Sequence, residues 1–160
     1  MQVGTALWGV VVLLGTGVLG ALFQRSRVAG QLMYGICLLA CLGILSSSCQ
    51  FLLLEPGSPQ SVRLPVGLPW IGAHFRVDAL AAFFLAVVNL GGAGASLFAI
   101  GYGRHEAAPG RVLPFYPLFL AGMNLVVLAG DAFSFLVAWE FMSLSSWALV
   151  VAHHHEADNT

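Results

Sequence analysis

Six basic and seven acidic side chains are the only formal charges in 160 residues, and long uncharged runs separate them. Val3 to Gln24 (22 residues), Val28 to Leu54 (27), Ala79 to Gly103 (25) and Val112 to Gly130 (19) contain no Asp, Glu, Arg or Lys. About 20 apolar residues in a helix cross a hydrocarbon core, so each run predicts a transmembrane helix. A fifth run, Ala132 to Ala152, is 21 residues long and carries one acid, Glu140, near its middle. Charged residues make up 8% of the chain and hydrophobic ones 59%, where a soluble domain has about 25% charged. A water-soluble globule and a disordered chain are excluded, and three cysteines are too few for a disulfide scaffold. The reading is an all-α integral membrane protein of five transmembrane helices in a lipid bilayer. No lysine occurs, and six arginines balanced by seven acids form no basic stripe, so nucleic acid is not a partner.

Two regions follow. Residues 1–111 hold three leading helices, at about 3–24, 28–54 and 79–103, and residues 112–160 hold helices four and five, at about 112–130 and 132–152, with a polar tail. The first run has no Arg or Lys ahead of it and is longer than the apolar stretch of a secretory signal, so it is expected to stay as a helix. Arg25, Arg27, Arg104 and Arg111 fall on one side of the membrane, and Arg63 and Arg76 on the other. Cytoplasmic loops hold the excess of arginine. The expected orientation in the inner (plasma) membrane therefore has the amino terminus outside and the tail in the cytoplasm.

The longest connection, Glu55 to Asp78, contains four of the seven prolines and would lie outside. Val62, Leu64, Val66 and Leu68 alternate with Arg63, Pro65 and Gly67, and Ala73, Phe75 and Val77 alternate with His74, Arg76 and Asp78. That period predicts a short outer β-hairpin turning at Pro69-Trp70-Ile71-Gly72, its first arm made irregular or confined to an edge by proline. In the third run, Gly91, Ala95, Ala99 and Gly103 recur every four residues and predict a smooth face for close helix packing. Asn89 and Asn124 are expected to act as hydrogen-bonding glue between helices.

Glu140 carries the most chemical information. An acid at the centre of a spanning helix costs about 2.5 to 3.5 kcal/mol on insertion scales and marks a proton path more often than not. Phe133, Leu136, Val137, Ser143, Leu144 and Trp147 share its helical face, and only Ser143 is polar. All six arginines belong to loops, so its counter-charge is expected outside this sequence, or its carboxyl holds a proton for much of the time. The structural alternative is a protonated acid held by Ser143, Asn124 or a water. Asp131 opens the fifth helix, either as its N-cap or as an outer proton-entry group. His153, His154 and His155 lack the i, i+4 spacing of a helical metal site, so no metal is expected. Cys37, Cys41 and Cys49 suggest no redox centre, and no cofactor is expected.

The stretch Asp131-Ala132-Phe133-Ser134-Phe135-Leu136-Val137-Ala138-Trp139-Glu140-Phe141-Met142-Ser143-Leu144-Ser145-Ser146-Trp147 resembles the fifth helix of the antiporter-like, proton-translocating membrane subunits. That family includes the large membrane-arm subunits of complex I, the Mrp cation/proton antiporters and the membrane subunits of energy-converting hydrogenases. Phe75 to Leu85 resembles the family's entry into its third helix, with Gly101-Tyr102-Gly103 at the other end. The Met142-Ser143-Leu144 version is most similar to hydrogenase-4 component B and formate hydrogenlyase subunit 3. The resemblance implies that Glu140 is the glutamate that pairs with a lysine on a later broken helix and relays protons. It also implies that helices four and five open the first of two inverted repeats, in a family with about fourteen helices. This chain would be an N-terminal fragment. Protons or Na⁺ would be the transported ion, no redox cofactor would be bound, and other membrane and hydrophilic subunits would be the partners. A structural membrane scaffold is the alternative from another class.

The arginine bias generates a direct expectation. In intact cells lacking the three native cysteines, a membrane-impermeant thiol reagent labels a cysteine introduced at Ser61 and spares one introduced at Ala107. The opposite pattern would invert the orientation.

Overall fold

A computed structural model describes residues 3–22, 27–54, 59–65, 72–102 and 114–154. Five helices, α1 (Val3–Leu22), α2 (Arg27–Leu54), α3 (Ala79–Tyr102), α4 (Phe115–Leu128) and α5 (Ala132–His154), frame one hairpin of β1 (Gln60–Leu64) and β2 (Ala73–Val77). Four of the helices are long and apolar enough to cross a membrane, and α4 is shorter. The chain is an all-α, multi-pass membrane protein with a small two-stranded sheet. Wherever these helices face hydrocarbon, intrahelical bonds satisfy the backbone amides that no water can reach.

The helix α4 covers 14 of the 19 residues in its uncharged run and rises only about 21 Å. Pro114 stands at its N-cap, and Pro117 falls in the first turn, where the missing N–H has no intrahelical partner to lose. At the other end Ala129 leaves the helix at φ −59° and ψ 124°. The cause is the hairpin: Phe75 bridges Ala129 in antiparallel fashion, and Gly130 N donates to His74 O at 2.7 Å.

The hairpin pairs Gln60 with Val77 through Leu64 with Ala73. Its first arm ends one residue before Pro65, whose ring supplies no ladder donor. Pro69, Trp70 and Ile71 of the expected turn lie outside the described residues. Gly72 closes the described part at φ 67°, where a Cβ would stand 2.7 Å from Leu64 O, so glycine is required there.

α2 packs most extensively on α3, and α4 on α5, while α1 touches both α2 and α4. Val10, Leu13, Cys37, Cys41, Leu85, Leu120 and Leu128 fill the shared interior. The smooth α3 face expected at Gly91, Ala95, Ala99 and Gly103 is not the packed one. Gly91 and Ala95 are exposed, and Gly103 lies outside the described residues. The buried face runs through Leu85, Asn89, Gly92, Ala93 and Ser96, and a Cβ on Gly92 would come within 2.9 Å of both Cys41 Sγ and Leu120. Polar side chains decide this choice. Asn89 and Ser96 must be turned toward partners in hydrocarbon, and that turns Gly91 outward.

The helices α4 and α5 approach closely at Gly122, where a Cβ would lie 2.9 Å from Met142 Cα. Gly122→Val therefore forces two backbones apart and destabilises the bundle by about 1–3 kcal/mol, read as an earlier unfolding midpoint in detergent micelles. Gly91→Val, with nothing within 4 Å of its Cβ, leaves this bundle's midpoint nearly unchanged.

Candidate functional site

The aspartates Asp78 and Asp131 organise the hairpin end of the molecule. Asp78 Oδ1 accepts Ala81 N at 2.8 Å and caps α3, while its Oδ2 accepts Arg76 Nη2 at 2.9 Å. Asp131 caps α5: Oδ1 accepts Ser134 N at 2.8 Å, and Oδ2 accepts Ser134 Oγ at 2.7 Å. Oδ2 also takes His74 N at 2.9 Å, with His74 Nδ1 3.6 Å away. The strand β2 is thus strapped between the starts of α3 and α5. The backbone N–H of Ser134, then its hydroxyl, then the N–H of His74 stabilise the charged carboxylate and lower the Asp131 pKa to about 2. Held that low, the group is ionised at physiological pH and works as a fixed acceptor.

Glu140 lies nine residues further, about 13.5 Å down the helix from Asp131. In a core of about 30 Å this is close to mid-membrane. Its side chain is exposed on the face of α5 turned away from α4, together with Leu136, Ser143, Leu144 and Trp147. Among the described residues it makes no hydrogen bond or ion pair. Asn124, considered as a holder for this carboxyl, is buried on the far side of α4 and bonded elsewhere. Ser143 shares the exposed face, and Ser145, which is buried, donates to Phe141 O at 2.8 Å.

The two asparagines meet. Asn89 Nδ2 donates to Asn124 Oδ1 at 2.7 Å, so they are interhelical glue as expected. Further from the hairpin, near the start of α4, Tyr116 donates to Gly92 O at 2.9 Å, and its hydroxyl lies 2.8 Å from Ser96 Oγ. Sequence reasoning passed over that pair and the Asp78 cap. The spacing Asn89, Gly92, Ser96 on one helical face was the available signal for the first, and Asp78 just before a long apolar run for the second. Cys37 and Cys41 are buried within the core, and Cys49 is exposed. His153 and His154 end α5, and His155 lies outside the described residues.

The helix α5 is thus capped by Asp131 and carries an uncovered acid, Glu140, beside Trp139. Hydrogenase-4 component B of Escherichia coli (strain K12) is 38% identical over 79 residues, 48% of this chain and 12% of the relative. A protein named for an antiporter subunit, mnhA2, of Staphylococcus saprophyticus subsp. saprophyticus is 30% identical over 128 residues, 76% of this chain and 16% of the relative. The relatives of this chain thus include proteins named for a hydrogenase component and for an antiporter subunit. NADH-quinone oxidoreductase subunit L of Mycobacterium tuberculosis (strain ATCC 25618 / H37Rv) is 24% identical over 162 aligned residues, 98% of this chain and 25% of the relative. The chain therefore spans a quarter or less of the length of these relatives. No family model matches it.

The cap generates a pH-dependent expectation. Because the folded pKa of Asp131 is depressed, its stabilisation is complete above about pH 4 and is lost as pH falls through about 2. Asp131→Ala costs about 0.5–2 kcal/mol near neutrality, and unfolding midpoints of the two proteins converge as the medium approaches pH 2.

Proposed function

We propose that this chain is the N-terminal part of a proton-translocating membrane subunit of an energy-converting hydrogenase or complex-I-like oxidoreductase. It couples redox chemistry carried out elsewhere to ion movement, in the inner membrane, with its amino terminus outside. The observation that carries this reading is Glu140: a carboxyl near mid-membrane, exposed on α5 and without a partner among the described residues. A lone charge at that depth is costly unless a cation or water faces it. A partner helix that approaches and withdraws a positive charge would therefore load and unload one proton. This chain has no lysine, and none of its six arginines lies within an uncharged run, so in this reading the cation belongs to other polypeptide.

In this reading Glu140 is the proton relay, and Asp131 is the fixed anchor of its helix rather than a carrier, since its carboxyl stays ionised. The names of the relatives support both a hydrogenase setting and an antiporter one. The large subunit of an Mrp-type Na⁺/H⁺ antiporter is the second reading, favoured by the 76% of this chain aligned with the mnhA2 protein. Partner subunits in the membrane and in solution are part of either proposal.

In the complete subunit, Glu140→Gln keeps the size and a polar head but cannot exchange a proton. Proton translocation into vesicles should drop at least about tenfold while native gels show an assembled complex. Glu140→Asp, retracted by one methylene, keeps partial activity. A scaffold role predicts the reverse ranking, because a protonated Glu and a neutral Gln are alike in size and polarity, and normal pumping by the Gln variant would remove the relay assignment.

A further inference from the structure

Asn89 Oδ1 is buried between α3 and α4 and has no hydrogen-bond partner among the described residues. Its orientation is fixed by chemistry. Leu85 O can only accept, so the amide atom facing it at 2.8 Å is the nitrogen, and the same argument at Leu120 O, also 2.8 Å away, fixes Asn124. Both hydrogens of Asn89 Nδ2 are committed, one to Leu85 O and one to Asn124 Oδ1. Asn124 Nδ2 also has two hydrogens, and Leu120 O takes one. Two amides already in contact thus keep one spare acceptor on Asn89 and one spare donor on Asn124.

An unmet buried amide oxygen is costly, and lipid tails offer no donor. A ligand that relieves it must donate to Asn89 Oδ1 and accept from Asn124. It must also be small, since neither asparagine has exposed surface. A cation would meet one free oxygen and an opposing N–H, which is no coordination shell. An anion would meet the spare oxygen with no cationic side chain to neutralise it. We propose that one ordered water molecule binds here, donating to Asn89 Oδ1 and accepting from Asn124 Nδ2. With the direct Asn89–Asn124 bond it closes a ring that ties α3 to α4, so the helix pair is joined through a polar node of three members.

The test uses the complete natural protein at a resolution that shows ordered solvent. Density is expected within about 2.6–3.2 Å of both Asn89 Oδ1 and Asn124 Nδ2. A protein donor seated on Asn89 Oδ1, or no density there, overturns the proposal. Infrared difference spectra in H₂¹⁸O give a second readout: a buried-water O–H stretch shifts with the isotope in the wild type and is absent in Asn89→Leu and in Asn124→Leu. An ¹⁸O-sensitive band that survives both substitutions, or no such band in the wild type, counts against it.

Discussion

Inside a hydrocarbon core an unpaired polar group is costly, and the packing of the helices in this chain answers that constraint. Backbone groups close onto themselves in the long helices. Side-chain hydroxyls such as Thr16, Ser48 and Ser145 return their protons to carbonyls one turn back. Asn89, Asn124, Ser96 and Tyr116 reach across helices instead, and in doing so select which face of α3 is buried. Packing then follows, with Gly92 seated against the Cys41 and Leu120 side chains and Gly122 against the backbone of Met142.

At the hairpin end of the bundle water returns, and charges can be used openly. Asp78 and Asp131 each cap a helix, and β2 runs between them with His74 held by one and Arg76 by the other. The strap also ends α4 early, because Ala129 and Gly130 turn to pair with Phe75 and His74. A surface hairpin thereby fixes the start of α5, and with it the depth at which Glu140 lies. The depressed pKa of Asp131 and the uncovered position of Glu140 give two acids nine residues apart opposite characters, one a permanent acceptor and the other open to an external partner.

Much of this was legible in the residue order. The five helices follow from charge-free runs of bilayer length, since a charge within them would be expensive. The hairpin follows from alternation, and Glu140 stands out because it interrupts an apolar run. The pairing of Asn89 with Asn124 was legible only as a tendency, since two amides in separate spans could equally have met other groups.

What the residues along the chain determined by themselves is the class of molecule, the number of helices and the identity of the unusual acid, because these depend on local composition and period. Tertiary structure alone decided that Gly92 rather than Gly91 lies at the close contact, that α4 stops at Leu128, and that Asp131 holds His74. It also decided that Glu140 faces away from α4. Each of these depends on contacts between elements distant in sequence, such as His74 and Asp131, 57 positions apart, which no local pattern encodes.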